Sequence, residues 1–205
     1  MTTFSQSDGG SRRARPTGGF SLVELLTVIA VIAILIAILV PVASTVRDSA
    51  LRGKTRSQLA QYATAYEAFR ADQGHYPSMG APGAEFSLRG NNAVFIETLS
   101  GFTVDGQPPT HPYALRANPR RIRYYTFTSN EFARAGEPHA GEIVEAFGNP
   151  NIHVVIDRQG TGVVRGSDFA SLPSDRRPET LAGGVFFFVT NPENNAEWSW
   201  LTTWD

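Results

Sequence analysis

The sequence predicts an α+β protein: a long N-terminal helix, membrane-spanning over its first half, with a C-terminal antiparallel β-sheet packed on its second half. Three observations predict it. Residues 20–43, FSLVELLTVIAVIAILIAILVPVA, form a nearly unbroken apolar run. Leu59, Tyr62, Tyr66 and Phe69 then fall at offsets of 0, 3, 7 and 10, one stripe of a helix. Beyond Gly74, short β-branched and aromatic runs alternate with Gly, Pro, Asn and Ser.

The apolar run holds 24 residues, a helix of roughly 36 Å at 1.5 Å per residue. A bilayer's hydrocarbon core is about 30 Å thick, and a helix satisfies its own backbone there. A membrane anchor is therefore expected over 20–43. Arg12, Arg13 and Arg15 stand just before it, which keeps the N-terminus cytoplasmic and sends the C-terminal domain outward. Residues 1–19 are polar and Gly/Ser-rich, and read as a targeting leader rather than as fold. One carboxylate, Glu24, lies inside the run. An ionised group in the apolar core costs on the order of 3 kcal/mol, so it ordinarily faces a partner; the plainer reading puts it in the headgroup region.

The context Gly19-Phe20-Ser21-Leu22-Val23-Glu24 resembles the processing motif of type IV pilins and of type II secretion pseudopilins. The resemblance implies that a membrane peptidase cuts after Gly19 and methylates the new terminus at Phe20. It also implies that Glu24 meets the terminal ammonium of a neighbouring subunit. Pro41 matches the helix-bending proline of the family, and Ser21 replaces its commoner threonine. The pair has its own physical logic. Removing one partner of a buried ion pair strands the other charge, so such a contact sets axial register. Two rival readings of the leader exist. Arg12-Arg13 is followed by Ala-Arg-Pro rather than by the apolar consensus of a twin-arginine signal. A cleaved signal peptide, cut near Val42-Ala43-Ser44, would need an apolar core shorter than this one and free of Glu24.

From residue 44 the helix is expected to continue outside the membrane to Gly74, a C-terminal cap, with Pro77 preventing continuation. Alanines at 60, 63, 65 and 68 favour it. Arg47, Arg52, Lys54 and Arg56 read as a solvated, mildly positive face. Pro41 and Gly53 make local bending cheap. The aromatic stripe is expected to be core against a sheet.

The head, 75–205, is expected to carry a short helix at 92–100, a long loop over 103–118, and strands at 121–128, 152–156, 161–165 and 184–190. Asp157–Gly160 reads as the turn of a hairpin joining 152–156 to 161–165. Trp198, Trp200 and Trp204 are expected to finish the core or form a contact surface. Downstream segments, among them Asp72–Pro77 and Phe147–Pro150, resemble those of G-type pseudopilins more loosely. The absence of cysteine excludes a disulfide framework and tilts the resemblance toward pseudopilins. The formal net charge is −1, and −3 without residues 1–19; no nucleic-acid partner is predicted. The stretch 191–197 offers oxygen ligands of the type calcium takes but lacks the aspartates of the family, so a metal-free surface loop is expected, without cofactors. His75, His111, His139 and His153 show no ligand spacing, and Glu142 and Glu145 would face opposite sides of a strand. Nothing assembles an active site, and no enzyme is expected.

The functional expectation is a structural filament subunit, stored in a bacterial inner membrane. Its partners would be itself, the prepilin peptidase, and an inner-membrane assembly platform with its ATPase. Two other readings are a membrane-tethered periplasmic binding or adhesion domain that never polymerises, and a minor pilin that caps a filament. An intramembrane Glu24 favours the first.

Overall fold

The computed structural model describes residues 21–190 and 201–204, with the side chains of these except 39–43. The architecture is α+β: a helix α1 (Leu22–Gln73) whose outer residues pack on an antiparallel sheet. The chain divides after Val46 into two units, and the second holds the sheet and the core. Helix α1 ends where the glycine signal placed it. Gly74 adopts a left-handed φ of +80° and its N–H donates to the Arg70 carbonyl at 2.8 Å, closing the last turn.

The predicted stripe is the centre of the head. Leu59, Tyr62, Tyr66 and Phe69 are each 0% exposed. They meet Ile152, Val154 and Ile156 of β2 (Ile152–Ile156) and Phe187 and Val189 of β5 (Val185–Val189) in one apolar cluster. The Tyr66 and Phe187 rings meet edge to face at 5.2 Å, a geometry that ring quadrupoles favour. Helix α2 (Asn92–Ser100), with the predicted bounds, adds Phe95, Ile96 and Leu99.

The sheet runs in the order β1 (Glu85–Ser87), β2, β5, β6 (Leu201–Thr202), every pair antiparallel. Residues alternate between faces along a strand, yet all five positions of β2 are buried. The reason is a second cluster, in which Val155 and Phe188 are covered by Val164, Phe169 and Leu172, with Trp204 packed alongside. That cover includes β3 (Val163–Arg165), paired with β4 (Thr180–Ala182) in a separate two-stranded sheet. Trp204 thus finishes the core, whereas Trp198 and Trp200 lie outside the described residues.

Four expectations for the head are corrected. Residues 121–128 form no strand. Arg121 takes a positive φ of 52°, and the Asn118 side chain bonds both the N–H and the carbonyl of Ile122, at 2.9 and 2.7 Å. The N–H groups of Tyr124 and Tyr125 then go to the Leu99 carbonyl at 2.8 and 3.1 Å. The backbone is thereby spent closing α2 rather than extending a sheet. Second, the loop 103–118 contains a short helix, α3 (Pro112–Ala117), started by Pro112 and capped by the His111 ring, which accepts from the Tyr113 N–H at 3.2 Å.

Third, Asp157–Gly160 does not join a hairpin, because β2 pairs with β1 and β5 while β3 pairs with β4. The Asp157 carboxylate accepts from the N–H groups of Gly162 and Gln159 at 2.6 and 3.0 Å and turns the chain out of the sheet. Fourth, residues 142–145 are not a strand but flank one isolated bridge, Phe132 to Ile143. The close approach of two segments fixes one glycine here: a Cβ on Gly101, at φ +74°, would stand 2.6 Å from the Arg121 carbonyl oxygen.

Two predictions follow from this packing. Leu59→Ala opens a cavity under the sheet and is expected to cost about 2–5 kcal/mol, measured by denaturant unfolding of the full-length chain in detergent. Burial raises the Asp157 carboxyl, but the N–H bonds from Gly162, Gln159 and Gly160 outweigh it and hold its pKa below the usual value. A depressed folded pKa contributes stability above the unfolded value, near 4, and loses it as pH falls through the folded one. Asp157→Asn is therefore expected to show a smaller drop in melting temperature between about pH 5 and pH 2.5 than the parent chain; an equal drop would refute it.

Candidate functional site

The site begins where α1 begins. Ser21 is its N-cap: the Ser21 hydroxyl accepts from the Val23 N–H at 3.3 Å. In return, Glu24 Oε2 accepts from the Ser21 N–H at 3.0 Å. The first intrahelical bond runs from Leu25 N–H to the Ser21 carbonyl at 3.1 Å, and Thr27 Oγ1 donates to the Glu24 carbonyl at 2.9 Å. This reciprocal pair is a capping box, which satisfies two of the donors that a helix start leaves open. Its S-x-x-E spacing is visible in the sequence, so Ser21 was findable as a functional residue from that signal alone.

The arrangement places the Glu24 carboxylate at the positive end of the helix dipole, where negative charge is favoured. It also aims that carboxylate back toward the chain that precedes the helix. Every described side chain from 21 to 38 is exposed, among them Leu22 at 77% and Ile38 at 63%. A helix apolar on all sides has no solvent face and demands burial by something outside itself. Among the described residues no helix is long and apolar enough to cross a membrane; the described side chains of this run stop at Ile38 and resume at 44. Gly19 and Phe20, the expected cleavage residues, lie outside the described residues. The helical assignment passes through residue 41, and the bend expected at Pro41 falls among side chains outside the description.

In the head, Glu145, weighed in the sequence, and two other buried acids, Glu131 and Glu97, hold loops. Glu145 is 3% exposed; it accepts from the Thr55 hydroxyl of α1 at 2.6 Å and from the N–H groups of Phe147 and Asn149 at 2.9 and 3.1 Å. Burial raises its pKa, against these bonds and Lys54. Glu131 accepts from the hydroxyls of Tyr62 and Tyr125 at 2.6 and 3.1 Å. Burial first and the Glu131 charge second push the Tyr62 phenol well up. Glu97 accepts from the N–H groups of Thr110 and His111 at 2.8 and 2.6 Å.

The histidines serve separately. His111 caps α3, His75 Nδ1 lies 3.1 Å from the Tyr76 carbonyl oxygen, and His139 lies 3.9 Å from Glu142. His153 Nδ1 lies 2.8 Å from Glu85 Oε1, and its other ring nitrogen is 3.2 Å from the Thr190 hydroxyl. No three His, Cys, Asp or Glu side chains stand together to hold a metal among the described residues. The stretch 191–197, weighed for calcium, lies outside them.

Residues 15–40 match the family model described as the prokaryotic N-terminal methylation motif, characteristic of type IV pilins and pseudopilins. The motif is that of type IV pilin-like and pseudopilin precursors, which a peptidase processes, and it marks a structural, generally non-enzymatic kind of protein. The match covers the leader junction, the capping box and the exposed apolar turns of α1; the head lies beyond it. No curated protein and no solved structure gives a significant match to the chain.

The capping box generates a direct test. Ser21→Ala removes the hydroxyl acceptor and is expected to weaken the helix start by about 0.5–2 kcal/mol. Hydrogen exchange in detergent should show the Val23 amide exchanging faster, with the amides beyond Thr27 unchanged. Equal rates at Val23 in both chains would show that the cap does not hold.

Proposed function

We propose that this chain is the precursor of a structural filament subunit, of the type IV pilus or type II secretion pseudopilus kind. Cleavage after Gly19 makes Phe20 the first residue, with a methylated amine. The apolar run 20–43 anchors the subunit in the inner membrane, N-terminus cytoplasmic and head periplasmic, until an assembly platform and its ATPase move it into the filament. There the exposed apolar surface of α1 is covered by the same surface of neighbouring copies, and Pro41 lets the helix bend to fit.

The observation that carries this reading is the coincidence, within residues 15–40, of the methylation motif with a capped helix start that presents Glu24 among exposed apolar side chains. A membrane anchor alone needs the apolar residues but not the acid. A terminal ammonium on an adjoining copy supplies the countercharge that such an acid requires in lipid. The competing reading, a tethered binding or adhesion domain, gives Glu24 only the capping of α1 and no countercharge in lipid.

Mass spectrometry of the chain purified from its native membrane is expected to show residues 1–19 removed and one methyl group on Phe20. Glu24→Ala is expected to be cut and inserted normally, yet to lose filament yield by tenfold or more, since stranding one charge of a buried pair costs about 3–5 kcal/mol. An uncut chain, or full filament yield from Glu24→Ala, would overturn the proposal.

A further inference from the structure

The head holds a cavity of about 520 Å³ between α2, the loop that follows it, and residues 123–132. Its walls are mostly apolar: Ile96, Phe127 and Phe132, with Phe102 and Val104 toward solvent. Val104 is 63% exposed, an apolar lip that no element of the head covers among the described residues. Arg123 is the one charged side chain on the wall. Its guanidinium lies over the Phe102 ring at 5.1 Å, and no carboxylate pairs with it among the described residues. Two other cavities differ in kind. One has Lys54 and Arg134 beside Glu137 and Glu145; another has Arg158 and Arg165 beside Asp157 and Asp168. Their charges are balanced within the protein, whereas Arg123, exposed at the rim of the apolar wall, has no carboxylate partner among the described residues.

We propose that this cavity binds a small aromatic carboxylate, its ring among Phe102, Phe127 and Phe132 and its carboxylate on Arg123. The size suits a small ligand, and a mostly apolar pocket with a few polar groups, here Arg123 and the hydroxyl residues Ser100, Thr103, Thr126 and Ser129, is the usual form of such a site. Half-exposed aromatic walls gain by covering a ring. A guanidinium over the Phe102 ring still has N–H groups to offer a carboxylate, the charge-assisted contact that arginine makes best. The proposal is independent of the filament reading, because it concerns the head alone.

The test titrates the full-length chain in nonionic detergent with para-fluorophenylacetate, followed by fluorine NMR, with protein-free micelles as the blank. Para-fluorophenylacetamide, the same shape without the charge, is the matched probe. The expected result is saturable binding of the acid, about tenfold weaker for the amide, a difference of about 1.4 kcal/mol. Arg123→Gln is expected to weaken the acid by a similar factor, while Arg116→Gln, an exposed arginine off the cavity, leaves it unchanged. Val104→Asp sets a negative charge on the lip and should weaken the acid and not the amide, which keeps the test informative should Arg123→Gln disturb the fold. Absence of saturation up to about 10 mM, where a site of this affinity class would fill, overturns the proposal. So does a change of less than about threefold for both the amide and Arg123→Gln, or for Val104→Asp where Arg123→Gln is unfolded.

Discussion

The head depends on the burial of one stripe of α1. Leu59, Tyr62, Tyr66 and Phe69 are removed from water completely, each burial being worth on the order of 2 kcal/mol. Phe187 of the sheet meets the Tyr62 and Tyr66 rings, and Ile152, Val154 and Val189 share the same cluster, to which α2 adds Phe95. The same helix presents apolar side chains on every side from 22 to 38. One element therefore carries two unlike surfaces, one covered by the protein's own head and the other exposed among the described residues.

A head without cysteine must fix its long connections by other means. Four acids do so: Glu97, Glu131, Glu145 and Asp157 are each buried, and each accepts backbone N–H groups from the loop beside it. Backbone donors suit this task, because they neutralise the carboxylate locally without a lysine or arginine having to be buried with it. Glu131 and Glu145 also bond Tyr62 and Thr55 of α1, so the loops between 128 and 149 are held to the helix by polar contacts above the apolar stripe. Burial raises the Glu145 carboxyl while the N–H bonds depress that of Asp157. The two acids therefore respond oppositely to pH, and the acid limb of stability reflects which of them is more strongly held.

Periodic and punctuated features were legible in the sequence. The stripe, the stop at Gly74, the bounds of α2 and the buried strand near 185–189 each follow from residues close together in the chain. What was not legible depends on distant partners. Residues 121–128 have strand composition, but Asn118 and the Leu99 carbonyl claim their backbone. The separation of β2 from β3 is decided by β5, which takes the place beside β2 that a local hairpin would have filled. Helix α3 was hidden by the prolines around it and by Pro112, its first residue. At the start of α1 Glu24 stood out by charge, whereas Ser21 needed its hydroxyl to be read together with the acid three residues on.

The capping box changes what Glu24 contributes. A carboxylate at the third helical position that accepts from the Ser21 N–H is held in one orientation, so little side-chain freedom remains to be lost when a cation arrives. One carboxylate can accept several hydrogen bonds at once, so the cap need not break for an ammonium to be bound. The same residue thus starts the helix and presents a fixed carboxylate at its N-terminal end, and the geometry that serves the helix start is the one that the proposed assembly would use.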